Sequence, residues 1–401
     1  MTLVWIVYNC VFVLLVFMEK MDFTIYQSIC DQIFGIGAVR IKEAKASNKV
    51  IGALAHVSEF KEFKKNFNSR LERLHDAFKG TNSEQELLTT VAQIADPKNW
   101  EGAYAELVVY DIMNRALEGD TIELNVDLNS TESFTYELGG KVTNVDGHIL
   151  YNDVYFDVKI LADSVGDVLD NLIKDVIKST GTKCSILYEY SLSDENSEFG
   201  GKRNQLKAEL EAFLNVYEEN RTDHCCLPSR VIDGLTYCIQ WGQGVNTAVR
   251  EYNPYRHAEN CKDILLFRYA KKLLKNKRFY LVMVNFPWYN QKVNSFQHMD
   301  KIFYRALARR TFCGHLHDAI PMSQLNHKFN GLQTVQTVST CLNGIIFIDD
   351  HIITEDSYSC CIYINPNASQ PLNLEVNYWY EMIRRGKNGT EEYDDFRWDN
   401  Y

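Results

Sequence analysis

Residues 141–161 read KVTNVDGHILYNDVYFDVKIL. Polar and apolar residues alternate along both halves, and Tyr151-Asn152-Asp153 supply turn chemistry between them. The segment is therefore predicted to form two antiparallel strands, over 141–150 and 154–160. In a strand, residues two apart point to the same face. Asp157 and Lys159 thus project together while Val158 points into the opposite layer, and pairing about the turn brings Asp146 close to Asp157. Two carboxylates at that separation repel unless a cation relieves them. Magnesium takes hard oxygen ligands and keeps several waters, so Asp146, Asp157 and the Val158 carbonyl suffice to hold it. Lys159 is then placed to orient a water or to neutralise charge building on an anion. The competing reading is a solvent-facing pair, Asp157 with Lys159, on a wet strand face.

Working upstream, residues 95–117 (ADPKNWEGAYAELVVYDIMNRAL) carry an N-cap at Asp96 and a proline at the first helical position. Trp100, Ala103, Leu107 and Tyr110 form an apolar stripe with Glu106 beside it. Strands are predicted over 121–128 and 134–138. Downstream, an amphipathic helix is expected over 163–179 (Val165, Val168, Leu169, Leu172, Val176) and a strand over 184–190. Helix, antiparallel strands, helix, strand describes an α/β fold, a central mixed sheet flanked by helices, with its core in residues 96–192.

An acidic residue on one strand, acidic-x-Lys on the next and a glutamate on the preceding helix together resemble the PD-(D/E)XK nuclease superfamily, the restriction-endonuclease-like fold. The matching residues are Asp146, Asp157-Val158-Lys159 and Glu106, and they cover about a quarter of the chain. Gly147 follows the first acid, and no proline precedes it. The resemblance implies a magnesium-dependent hydrolase (manganese being the substitute), most often a double-stranded DNA endonuclease used in restriction or anti-phage defence. Asp146, Asp157, Glu106 and the Val158 carbonyl would be its metal ligands and Lys159 its catalytic lysine. A homodimer is the usual means of cutting both strands. Two alternatives stay open: a non-catalytic nucleic-acid-binding or interaction protein that keeps the fold, and a nuclease acting on RNA.

The flanking regions are less specific. Residues 21–95 are helical in pattern: Val57, Phe60, Phe63, Phe67, Leu71, Leu74 and Phe78 recur three or four apart. Residues 193–401 form a long extension with further helices and strands. Within it a basic helix is predicted over 261–275. With the residues that follow, it offers Lys271, Lys272, Lys275, Lys277 and Arg278 as phosphate contacts. A buried strand (279–286) and a hairpin (344–349 with 359–365) come after it. Residues 2–18, in an apolar N-terminal segment of 1–20, carry no charge. They read either as a membrane tether leaving the main domain on the cytoplasmic side, or as a buried or superfluous start to a cytoplasmic protein.

Composition narrows the function classes. The 401 residues are 46% hydrophobic and 24% charged, an ordinary globular balance, and the net charge of -11 argues against general nucleic-acid binding. Any polyanion must therefore be met by a local basic patch. Eleven cysteines without a C-x-x-C pair read as reduced thiols rather than a disulfide framework or zinc site. No Gly-rich nucleotide loop is present, Gly242–Gly244 lacking the lysine that would follow one.

Overall fold

The computed structural model describes residues 23–41, 48–55, 60–96, 99–117, 122–128, 133–134, 143–160, 164–182, 184–190, 197–220, 224–241, 248–250, 253–286, 299–325, 329–371, 392–394 and 396. Its helices are α1 (Phe23–Phe34), α2 (Lys49–Ala55), α3 (Lys61–Phe78), α4 (Glu84–Gln93), α5 (Trp100–Ala116), α6 (Ser164–Thr180), α7 (Ser197–Asn220), α8 (Pro254–Tyr269), α9 (Met299–Cys313), α10 (Met322–Leu325) and α11 (Val335–Ser339). The strands are β1 (Ile122–Asp127), β2 (Asn144–Ile149), β3 (Val154–Ile160), β4 (Cys184–Tyr190), β5 (His224–Pro228), β6 (Leu235–Trp241), β7 (Ala248–Arg250), β8 (Arg278–Asn285), β9 (Gly344–Asp350), β10 (Tyr358–Ile364) and β11 (Glu392–Asp394). They divide between two compact units, one of residues 1–161, 271–290 and 319–401, the other of 162–270 and 291–318.

The first unit is an α/β layer structure around a mixed seven-stranded sheet of order β1-β2-β3-β8-β9-β10-β11. β1, β2 and β3 pair antiparallel, β3, β8 and β9 run parallel, and β10 returns antiparallel to β9. The parallel centre follows from composition. β8 (RFYLVMVN) and β9 (GIIFIDD) are near-continuous apolar runs, as strands covered on both faces must be. Helical periodicity supplies one covering layer. Phe63, Phe67, Leu71, Leu74 and Phe78 of α3 are all buried, in one cluster with Leu107 and Val108 of α5 and with Phe156, Val158, Val282 and Ile346 of the sheet. Each such side chain contributes roughly 1.5–3 kcal/mol.

The second unit carries a four-stranded sheet, β5-β6-β4-β7. Leu169, Leu172 and Val176 of α6 and Leu206, Leu210 and Leu214 of α7 form its core with Ile186, Tyr188, Tyr237 and Ile239.

Three expectations need correction. A nuclease-like core ending at residue 192 does not describe the sheet. The expected fourth strand, β4, lies in the second unit, and β8 takes the place beside β3. The physical reason is β8's unbroken apolar run, which suits a central position better than the half-polar CSILYEY. The basic helix 261–275 is also displaced. α8 ends at Tyr269, a 3-10 turn covers Ala270–Lys272, and Leu274 bridges to Ser133, so the lysines line a turn leading into β8. Finally, the thiols are not all free: Cys226 and Cys238 face each other across β5 and β6 and form a disulfide. The strand expected over 134–138 falls outside the described residues except for Phe134. Residues 1–20 lie wholly outside them. Among the described residues no helix is long and apolar enough to cross a membrane.

Candidate active site

The site forms where β2 parts from both neighbours. The β1–β2 pairing runs from Ile122↔Ile149 to Leu124↔Gly147 and resumes at Val126↔Val145. Asn125, which would face Asp146, instead takes a left-handed backbone with φ of 52°. On the other side, the β2–β3 ladder ends at Gly147↔Phe156, one step before Asp146 and Asp157. Side-chain bonds replace the missing rungs. The Val158 N–H donates to Asp146 Oδ2 at 2.6 Å, and the Tyr110 hydroxyl of α5 donates to the Asp146 carbonyl at 3.0 Å. The Asp146 carboxyl is thereby turned toward β3.

Asp157 is fully buried, which removes the wet-face reading of β3. Both of its oxygens meet ammonium groups: Lys159 Nζ stands 2.6 Å from Oδ2 and Lys272 Nζ 2.6 Å from Oδ1. Lys159 Nζ also lies 3.6 Å from Asp146 Oδ2 and donates to the Val158 carbonyl at 2.7 Å. Glu106, on α5, accepts a hydrogen bond from Thr90 of α4 at Oε2, 3.3 Å away. Burial, then the nearby Asp146 charge, pushes its carboxyl up to about 8 against the pull of Lys159. Burial and Asp157 likewise raise Asp146 to about 6, opposed by Lys159 and Lys272.

Three acids and two lysines are thus brought together from α5, β2, β3 and the turn before β8. The donor set fits a hard divalent cation in one specific respect. Glu106 Oε1 and Asp146 Oδ1 accept no hydrogen bond from a described residue, and burial together with a neighbouring carboxylate, Asp146 beside Glu106 and Asp157 beside Asp146, raises both acids. A cation would relieve both. Among the described residues no three His, Cys, Asp or Glu side chains stand ready to hold a metal ion. Asp157 and the Val158 carbonyl are already engaged by lysine. Two carboxylates with waters are nonetheless an adequate magnesium seat.

The five basic residues separate in the structure. Lys272 enters the acidic cluster. Lys277 Nζ binds Asp153 Oδ2 at 2.6 Å, and Arg278 donates to the Asn152 carbonyl at 2.9 Å, so both brace the β2–β3 turn. Lys271 lies over the Phe329 ring and Lys275 over the Phe134 ring. Sequence reasoning missed Tyr110 and Thr90. Tyr110 was within reach, since four residues after Glu106 falls on the same helix face. Nothing local marks Thr90.

Set beside known proteins, the chain matches no family model, and no curated protein or solved structure is significantly similar to it.

Proposed function

We propose that the chain is a divalent-metal-dependent nuclease with a restriction-endonuclease-like core, hydrolysing the phosphodiester backbone of DNA. One observation carries this reading: Glu106, Asp146, Asp157, Lys159 and Lys272 meet where β2 and β3 splay apart. Phosphodiester hydrolysis asks little covalent chemistry of a protein. It asks for a positioned water and for stabilised charge on the phosphoryl oxygens. Glu106 and Asp146 would hold the cation, with Asp157 and the Val158 carbonyl on its rim. When bound, that cation supplies Lewis-acid polarisation and a water of lowered pKa.

The chain's own residues do the remainder. Asp157, buried beneath it, fixes the Lys159 ammonium, which is partly exposed and orients the attacking water or meets the developing charge. Tyr110 and the Val158 N–H hold Asp146 in the orientation its role needs. Thr90 does the same for Glu106.

The test is nicking of a supercoiled plasmid in magnesium, with EDTA controls and with single-stranded DNA and RNA digested in parallel. Cleavage should require the metal and fall by at least about 100-fold in Lys159→Ala and Asp157→Ala, both retaining native circular dichroism. Undiminished cleavage by both variants, or none by the wild type on any substrate, would overturn the assignment.

A further inference from the structure

We infer that Lys272 is a built-in second cation of this site: it binds the scissile phosphate where a second metal ion would otherwise sit, and the site takes a single divalent ion. This rests on the nuclease reading and deepens it.

The geometry is symmetrical about Asp157. Lys159 grips one oxygen and Lys272 the other, each at 2.6 Å, while the carboxylate between them is fully buried. A carboxylate shared by two cations is the bridging arrangement of two-metal sites, in which the ions clamp the attacking and leaving oxygens of the phosphate. Here Lys272 takes the Oδ1 side of that bridge, while Lys159 lies between Oδ2 and the Asp146 carboxylate. Lys272 comes from far along the chain, 115 residues from Asp157. The 3-10 turn that carries it is held independently. Ala270 is buried, Leu274 bridges to Ser133, and the Phe134 N–H donates to the Leu273 carbonyl at 3.4 Å. The lysine is thus delivered by a fixed turn rather than by a flexible tail. About a fifth of its side chain is exposed, so a substrate oxygen can reach it.

Charge balance favours one metal ion. Three carboxylates and two lysines sum to minus one once every acid is ionised. One divalent ion brings the cluster to plus one, the complement of a phosphodiester anion. A second would bring it to plus three in a partly buried site, at a large desolvation and repulsion cost. Without Lys272 the same acids would leave the cluster at minus two, and two divalent ions would give only plus two.

The discriminating measurement is the stoichiometry of magnesium binding by calorimetry on the full chain, together with affinity for a short DNA duplex in calcium, where cleavage is suppressed. Wild type should bind one ion per chain. Lys272→Ala should bind two, should bind the duplex several-fold more weakly, and should cleave about 100-fold more slowly. Lys272→Arg, which keeps the charge, should restore the single ion and most of the duplex affinity. Should wild type bind two ions, or should Lys272→Ala change neither stoichiometry nor duplex affinity while cleavage still depends on Asp157, the inference fails and the nuclease reading stands. Should no ion bind and no substrate be cut, both fail. Circular dichroism of both variants separates loss of the site from loss of the fold.

Discussion

Glu106 and Asp146 share one patch of partly buried acidity that Lys159 and Lys272 offset only in part, and this makes the site pH-sensitive in a definite sense. An acid whose pKa is raised by folding binds more protons in the native state than in the unfolded one, so stability falls as pH rises between the two values. For Glu106 that window runs from its ordinary value of 4.5 up to about 8, and for Asp146 from 3.8 up to about 6. Metal-free protein should therefore melt at progressively lower temperature from mildly acidic to mildly basic pH. Saturating magnesium should flatten the profile, because the ion takes the place of the protons, and protons should be released on binding. Glu106→Gln should remove the upper part of the slope. Thermal melts across pH, with and without magnesium, check each point, and a wild-type profile unaffected by the ion would contradict it. Most of these residues could be placed from sequence. Asp157 and Lys159 share a face by strand alternation, Asp146 follows from the turn, and Glu106 from its stripe. Lys272 could not be paired with Asp157, because no local rule links residues on distant segments.

At the scale of elements, the hairpin β2–β3 shows what holds the acids in place. Gly147 stands opposite Phe156, and a Cβ there would lie 2.1 Å from Phe156 Cζ. The ring lies across the glycine and belongs to the main core with Val158 and Tyr280. Gly147→Ala must push that ring into packed surroundings and should cost about 1–3 kcal/mol. Since Gly147 adjoins Asp146, the shift should also lower cleavage. Pairing it with Phe156→Leu should recover part of the stability, a coupling that a double-mutant cycle in urea reads directly. Additive losses would mean the ring is not what the new methyl meets. The hairpin strands were legible because their alternation and turn residues agree. β4 was placed in the wrong sheet because periodicity reports which face is buried, not which strand lies alongside. That choice is made by packing, and β8 wins it with an apolar run suited to burial on both faces.

The first unit is assembled from three separated stretches of chain, so something must tie its N-terminal helices to its C-terminal strands. Apolar packing does most of this, but the orientation is set by a buried ionic network. Arg70 on α3 donates through Nη2 to Asp350 Oδ1 of β9 at 2.7 Å, and Tyr104 on α5 donates to Asp350 Oδ2 at 2.6 Å. Arg73 and Arg115 meet Asp111 and Asp356 alongside. Arg70 and Asp350 are both fully buried, and 280 residues separate them in sequence. Such a pair adds little net stability over an apolar substitute, but removing one partner strands the other's charge. Arg70→Met should therefore destabilise the unit by about 3–5 kcal/mol, and Arg70→Met with Asp350→Asn by clearly less, because the double variant leaves no charge behind at that position. Denaturant unfolding followed by intrinsic tryptophan fluorescence and circular dichroism separates the cases, with equal losses in both variants arguing that Arg70 acts by packing alone. The network was not readable in advance: Arg70 sits among Lys61, Lys64, Lys65 and Arg73 on an amphipathic helix and looks like one more solvated cation. It is distinguished only by facing a strand on the far side of the chain, whose aspartate is itself hidden at the end of an apolar run.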